Sequence, residues 1–222
     1  MFAGACAPNG GRPEVKLRPH DLLWGLTPDA LPADAPAWAW QVVAAGHPVV
    51  VRRALAEPHM VAVGLRGERR DERLACFMRR AWVSARTTPQ MLRWRGRDDW
   101  PALRALAQVE PWLDACGCAW GPTGSVGYQL ATGQPVLHAR SDLDLVLHAP
   151  LPIAREQARA WLARLDRLGC RVDLQLETPA GAIALREWAG ASPRVLLKAS
   201  DGARLVSDPW AARARPEQER AA

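Results

Sequence analysis

Two aspartates one residue apart, Asp142 and Asp144, are the first side chains in this sequence whose spacing indicates chemistry. They lie in the segment Ser-Asp-Leu-Asp-Leu, which is typical of a strand. Residues two apart on a strand share a face, so both carboxylates would project from one side while Leu143 and Leu145 enter the core. Neighbouring carboxylates repel each other unless a cation lies between them, and their hard oxygens suit Mg²⁺ or Mn²⁺. Taken alone, such a motif is more often an exposed strand face that carries two incidental aspartates.

A glycine-bearing turn precedes these acids in the segment Trp-Gly-Pro-Thr-Gly-Ser-Val-Gly, residues 120–127. Its pattern is that of a short strand, a turn and the start of a helix. Backbone N–H groups at the N-terminus of a helix bind phosphate oxygens, and glycine lets a ligand approach closely. Gly124 and Ser125 are therefore candidate phosphate-binding residues. Taken alone, such a segment is more often an ordinary glycine-rich turn in which Ser125 caps the helix.

A third carboxylate, Asp173, follows in an alternating stretch. Val172, Leu174 and Leu176 would share one face of a strand there, and Asp173 would lie on the other. An aspartate on a wet strand face is the simpler interpretation of this stretch alone. The order of the three pieces, Gly-Ser after a strand, Asp-x-Asp on a strand and a third acid on a later strand, is more specific than any one of them.

This trio resembles the active-site pattern of the nucleotidyltransferase superfamily of DNA polymerase beta. The resemblance implies in-line attack on an α-phosphate with departure of pyrophosphate, assisted by two Mg²⁺ ions, with Mn²⁺ as a possible replacement. It implies that Asp142 and Asp144 bridge both ions and that Asp173 completes the site of the ion that activates the nucleophile. Gly124 and Ser125 would then hold the β- and γ-phosphates.

The flanking sequence is similar to a narrower family, the malonate decarboxylase holo-acyl-carrier-protein synthases, which are phosphoribosyl-dephospho-CoA transferases. The similarity extends over about residues 18–210 and is carried by residues 18–24, 61–67, 120–147, 172–188 and 195–210. It implies a donor, triphosphoribosyl-dephospho-CoA, whose phosphoribosyl-dephospho-CoA part is transferred to a serine of the apo acyl-carrier subunit. A basic protein suits an anionic donor and an acidic carrier.

Two alternatives to this function stay open. One is a nucleotidyltransferase with another acceptor, such as the citrate-lyase carrier, RNA or a small alcohol. The other is a non-catalytic nucleotide- or RNA-binding module that has kept the fold. The presence of all three acids argues against the second alternative, and the extended similarity makes nucleic acid an unlikely partner.

Several further residues have chemistry that the motif does not use. Lys198, at a predicted strand end, is a candidate triphosphate ligand or a solvated surface lysine. Arg140 is a candidate phosphate contact or carboxylate partner. The pair Cys116 and Cys118 is too tightly spaced for a usual zinc site, even with His138 and His148 as further ligands. His20-Asp21 is interpreted as a recognition or packing element. The N-terminal half contains arginines that could contact donor or carrier, or form a solvated basic surface: Arg52, Arg53, Arg66, Arg69, Arg70, Arg79 and Arg80.

Composition limits the classes of protein that remain. The 222 residues carry a formal net charge of +6 at pH 7, which favours a polyanionic partner. No apolar run reaches the roughly 20 residues that a membrane helix needs, and the N-terminus has no signal-peptide pattern. Five cysteines, an odd number, do not indicate a disulfide framework, so we expect a cytoplasmic protein.

The order of predicted strands and helices along the chain indicates an α+β fold. We expect a nucleotidyltransferase domain of the polymerase beta type over residues 99–222, preceded by a small β-containing domain over residues 1–98, whose first 16 residues form a loose tail. That N-terminal domain is a candidate for donor or carrier recognition. The predicted helices cover residues 38–45, 103–116, 125–130, 153–168 and 182–188, and the predicted strands cover residues 48–53, 60–65, 119–121, 143–147, 172–176, 195–197 and 204–206.

Overall fold

The computed structural model describes residues 16–69, 71–97 and 99–211. Nearly all of the predicted N-terminal tail therefore lies outside the described residues. Over the described part, no helix is both long and apolar enough to cross a membrane. Residues 16–69, 71–97 and 99–211 form a mixed α and β architecture with two separate sheets and five α-helices.

The first sheet is formed by the N-terminal part of the chain, and all its strand pairs are antiparallel. Its order is β4-β3-β2-β1-β5. The strands are β1 (Leu22–Trp24), β2 (Val49–Val51), β3 (Met60–Arg66), β4 (Arg73–Arg79) and β5 (Ala85–Thr87). Helix α1 (Ala37–Ala44) packs on one face of it through Ala39 and Val43, which join a core of Val, Leu and Met side chains. The sequence predicted α1, β2 and β3, whereas the three-residue strands β1 and β5 were not predicted.

The second sheet contains six strands in the order β11-β10-β9-β8-β7-β6. Strands β7 and β8 are parallel, and every other pair is antiparallel. The strands are β6 (Trp120–Pro122), β7 (Leu143–His148), β8 (Val172–Thr178), β9 (Gly181–Ala184), β10 (Val195–Ala199) and β11 (Gly202–Val206). The helices of this half are α2 (Pro101–Ala115), α3 (Gly124–Thr132), α4 (Arg155–Leu165) and α5 (Leu185–Ala189).

Helices α2 and α4 pack against one face of the second sheet. Leu143, Leu145 and Leu147 of β7 are buried together with side chains of α2 and α4 in a second core, which shares no residue with the first. Because side chains alternate along a strand, Asp144 of β7 and Asp173 of β8 lie on the opposite face. That face is turned toward the N-terminal sheet.

One predicted helix is wrong in its first half. Residues 182–184 belong to β9 rather than to a helix, and α5 begins only at Leu185. Ala182 and Ile183 are fully buried and pair with Glu177 and Leu176 of β8. Pairing with a neighbouring strand and burial outweigh the weak helix preference of alanine over so short a stretch.

Candidate active site

A cleft of about 990 Å³ lies between the two sheets. Its lining combines acidic and glycine-turn residues of the second sheet with basic residues of the first. The members that matter for chemistry are Gly124, Ser125, Asp142, Asp144, Asp173 and Lys198 on one side, and Arg52 and Arg66 on the other. All six site residues predicted from the sequence therefore line one cavity.

The acids are brought together by the pairing of β7 with β8. Asp144 and Asp173 are direct partners across these parallel strands, and Asp142 immediately precedes β7. Burial raises the pKa of the Asp144 carboxyl above its ordinary value, and the nearby charges of Asp173 and Asp142 raise it further. Concentrated negative charge of this kind is relieved by a cation or a proton.

The three carboxylates do not converge on one point. Asp173 forms an ion pair of 3.0 Å with Arg171, which lies beside it at the rim of the cleft. Within residues 16–69, 71–97 and 99–211, no group of three or more His, Cys, Asp or Glu side chains is gathered closely enough to hold a metal ion. The donor chemistry, three oxygen-bearing acids in one cleft, nevertheless fits a hard divalent cation.

The turn before α3 is fixed directly against the acid strand. The backbone N–H of Thr123 donates to the carbonyl of Asp144 at 2.8 Å. Gly124 has a φ of +58°, and a Cβ at this position would lie 2.0 Å from Oδ2 of Asp144. Glycine is required here by the Asp144 carboxylate as well as by the backbone conformation. The Thr123 side chain makes no capping hydrogen bond, and the first N–H groups of any helix lack partners within the helix.

Arg66, the last residue of β3, brings the first sheet into contact with this turn. Its Nη2 donates to the hydroxyl of Ser125 at 2.9 Å, across 59 residues of sequence. The positive charge of Arg66 opposes the rise in the pKa of Asp144. Sequence reasoning noted Arg66 only among seven arginines, because nothing local distinguishes an arginine whose partner is so distant in the chain.

The two sheets are also joined further along β8. Arg53 forms an ion pair with Glu177 at 2.5 Å, and both side chains are largely buried, with 16% and 11% of their surface exposed. The amide nitrogen of Gln175 donates to Glu177 at 2.8 Å and lies 2.9 Å from Nε2 of His20. One face of β8 thus places Asp173 in the cleft. Further along the same face, Gln175 and Glu177 make polar contacts with the N-terminal part of the chain.

His20 lines the cleft, and both His20 and Asp21 contact neighbouring strands. His20 adopts a φ of +74°, and burial lowers its pKa despite the nearby charge of Glu177. Asp21 is almost fully buried and forms an ion pair of 2.8 Å with Arg86 on β5. Its carboxylate also accepts a hydrogen bond from the backbone N–H of Arg18 at 2.8 Å. The pair therefore ties the start of β1 to neighbouring strands.

Lys198 lines the same cleft at a different place. It lies on β10, three strands from β7, which corresponds to about 14 Å at the usual strand spacing. Lys198 and Ser125 would therefore contact different parts of a bound ligand. Arg140 is exposed at the cleft rim, while Cys116 and Cys118 are free thiols that belong to no metal-binding group among the described residues.

Both halves of the chain match models of known protein families. Residues 18–89 match the model of the phosphoribosyl-dephospho-CoA transferase MdcG N-terminal domain, and residues 90–209 match that of the MdcG C-terminal domain. The chain belongs to the phosphoribosyl-dephospho-CoA transferase family. The resemblance drawn from the sequence alone is confirmed at this level.

Members of the phosphoribosyl-dephospho-CoA transferase family are similar to this chain over nearly their whole length. The transferase of Pseudomonas putida strain W619 is 64% identical over 193 residues, which are 87% of this chain and 95% of that protein. The Azotobacter vinelandii transferase is 57% identical over 199 residues, 87% of this chain and 94% of its own. The Pseudomonas aeruginosa transferase is 49% identical over 195 residues, which are 86% of this chain and 93% of that protein. The chain is thus an enzyme of the transferase class. No solved structure matches it.

Proposed function

We propose that this transferase takes triphosphoribosyl-dephospho-CoA as its donor and a serine of the apo acyl-carrier subunit of malonate decarboxylase as its acceptor. In this reaction the serine Oγ attacks the α-phosphorus of the triphosphate. The bond from that phosphorus to the oxygen bridging to the β-phosphate breaks, the serine proton is lost, and pyrophosphate leaves. The product is a phosphodiester that links the prosthetic group to the carrier. We further propose the polymerase beta type of nucleotidyltransferase fold for the second sheet and its helices.

The observation that carries the proposal is the juxtaposition of Asp144 and Asp173 with the N-terminus of α3 in one cleft. In-line phosphoryl transfer needs an anionic group held in place while negative charge moves from the attacking to the leaving oxygen. The backbone N–H groups that open α3 suit the β- and γ-phosphates, with Gly124 and Ser125 at the point of contact. Lys198 would hold an anionic group of the donor at the other side of the cleft.

The acids suit the reacting phosphate. Asp142, Asp144 and Asp173 would hold Mg²⁺, with two ions expected and Mn²⁺ as a substitute, which would supply Lewis-acid stabilisation of the attacking and leaving oxygens. Burial raises the pKa of Asp144 most, and the charges of Asp173 and Asp142 raise it further; a cation bound among these acids would offset both effects. Arg171 holds the Asp173 carboxylate at the rim and would orient it toward the acceptor hydroxyl.

The rim of the cleft favours an acidic acceptor. Arg140, Arg171 and Arg186 all line the cleft and are exposed, with Arg171 paired to Asp173 and Arg186 to Asp166. Positive charge around the opening would draw in an acidic carrier protein and orient its serine, an effect that weakens as salt is added. The family name of the relatives requires an acceptor for a CoA-derived group, which agrees with such a partner.

The test is the intact mass of the apo carrier subunit after incubation with enzyme, triphosphoribosyl-dephospho-CoA and Mg²⁺. We expect a mass gain equal to phosphoribosyl-dephospho-CoA, with one pyrophosphate released for each carrier modified. Asp142→Asn and Asp144→Asn should each slow both carrier modification and pyrophosphate release about 10³-fold. Asp201→Asn is the matched control, because Asp201 pairs with Arg204 in the β10–β11 turn and does not line the cleft.

Two results would contradict the proposal in different ways. Pyrophosphate release that depends on the acids but leaves the malonate decarboxylase carrier unmodified would keep the chemistry and reject the acceptor. Carrier modification that is unchanged in both asparagine variants would reject the assigned acids.

A further inference from the structure

We infer that Arg66 of the N-terminal sheet is a ligand for the triphosphate of the donor, so that the phosphate site is completed by the sheet that carries no acid motif. This inference rests on the proposed function, since it assigns a residue to the same phosphate site. It also gives the N-terminal sheet a direct part in binding the donor.

The backbone around Arg66 is held firmly enough to aim a side chain. Arg66 is the last residue of β3 and pairs with Arg73 of β4. The turn that follows is closed by a hydrogen bond of 3.0 Å from the N–H of Gly67 to the carbonyl of Glu72. A residue at the end of a paired hairpin strand keeps a defined direction, which a binding residue on a free loop would lack.

The Arg66 side chain already lies beside the position proposed for the phosphates. Its Nη2 is 2.9 Å from the hydroxyl of Ser125, in the first turn of α3, and its charge acts on Asp144. Arg66 therefore lies beside both the helix N-terminus proposed for the phosphates and the acid proposed for the cation. A guanidinium has five N–H donors in a planar fork, so it can hold the serine hydroxyl and a phosphate oxygen together.

A neighbouring arginine adds to the positive charge on this side of the cleft. Arg52, which follows β2, also lines the cavity, and its side-chain stem lies against Gly64 of β3. A Cβ at Gly64 would come within 3.1 Å of the Arg52 Cδ atom, so the small residue leaves room for that stem. Gly64 and Arg66 are two apart on one strand and share a face, which places both arginines over the cleft.

The experiment measures binding of inorganic tripolyphosphate to the full-length protein by titration calorimetry in the presence of Mg²⁺. We expect Arg66→Gln to weaken binding about 10- to 100-fold, the range for loss of a charged hydrogen bond. Arg66→Lys should weaken it less, because lysine keeps the charge but loses the planar fork. Arg69→Gln is the control, since Arg69 lies in the same hairpin turn, has a 73% exposed side chain and does not line the cleft.

Equal affinity of the Arg66→Gln and Arg69→Gln proteins would overturn the inference, as would failure of the wild-type protein to bind tripolyphosphate. If Arg66→Gln fails to fold, the Arg66→Lys protein decides, and affinity equal to wild type would then count against the inference. The measurement needs neither carrier nor transfer. A protein that binds tripolyphosphate through Arg66 yet modifies no carrier would therefore reject the proposed acceptor and leave the role of Arg66 standing.

Discussion

The three acids proposed to bind metal come from the C-terminal half of the chain, and two arginines that line the same cleft come from the N-terminal half. The C-terminal sheet supplies Asp142, Asp144 and Asp173, and the N-terminal sheet supplies Arg52 and Arg66. Each sheet has its own hydrophobic core, so neither depends on the other for its apolar packing. The acids proposed to bind metal lie in strand patterns that are visible locally in the sequence, whereas Arg52 and Arg66 come from a separate sheet and can be placed in the cleft only in three dimensions.

We expect the largest effect from a substitution of Asp144, the acid that lies in the cleft between the two sheets. Asp144→Asn should lower the rate of carrier modification about 10³-fold, the scale seen when a charge-stabilising group is lost from an active site. The same change should raise the melting temperature in the absence of metal. The folded-state pKa of Asp144 is raised, so its ionisation costs stability at neutral pH, and a neutral amide removes that cost.

The difference in stability between the wild-type and Asp144→Asn proteins should depend on pH. As the pH falls through the folded-state pKa of Asp144, the wild-type carboxyl becomes protonated and the stability advantage of the Asp144→Asn protein should shrink. Thermal unfolding of both proteins across acidic and neutral pH measures it. An asparagine variant less stable than wild type at neutral pH would show that Asp144 is not held under electrostatic strain.

We expect the second largest effect from loss of the Arg53–Glu177 ion pair, which joins the two sheets. Arg53→Met leaves the largely buried Glu177 carboxylate without its arginine partner and should lower the free energy of unfolding by about 3 kcal/mol. The double variant Arg53→Met/Glu177→Met should recover much of that loss, because no unpaired charge remains. Denaturant unfolding of the wild type, Arg53→Met, Glu177→Met and the double variant measures the coupling, and strictly additive effects would indicate that the ion pair contributes nothing.

A third, smaller effect concerns the chain that leaves the N-terminal sheet. A Cβ at Gly121 of β6 would lie 2.0 Å from the carbonyl oxygen of Pro89, which crosses this strand. Gly121→Ala should therefore cost about 2 kcal/mol through overpacking. Gly169→Ala is the control, since a Cβ there meets no described atom within 4 Å. Equal melting temperatures for the two variants would mean that the crossing segment moves aside freely.

The smallest effect is a pH dependence at the contact between the sheets. Burial lowers the pKa of His20, opposed by Glu177 and reinforced by Arg53, His148 and Lys198. The unfolded chain therefore binds this proton more readily, and stability is lost as the pH falls below the ordinary histidine range. His20→Gln removes that proton, so the unfolding free energy of wild type minus variant should decrease as the pH is lowered from 8 to 5. A difference that stays constant with pH would exclude this role.

The sequence was informative where the signal is local. Asp144 and Asp173 are each flanked by alternating leucines and valines, so their strands and faces could be predicted, and the glycine turn precedes them at short range. The helix predicted over residues 182–188 was half wrong, because β9 is formed by its pairing with β8 and not by its own preferences. Arg66 could not be singled out, since its partner Ser125 lies 59 residues away.

The most direct test of the central claim is a crystal structure of the full-length protein with triphosphoribosyl-dephospho-CoA and Mg²⁺. We predict the triphosphate between the N-terminus of α3 and Arg66, with its α-phosphate beside Asp144 and Asp173. Both sheets would then contact one donor molecule. A donor bound elsewhere, such as in the separate apolar groove lined by Trp112, Trp161 and Ile153, or one that contacts only the C-terminal sheet, would contradict this prediction.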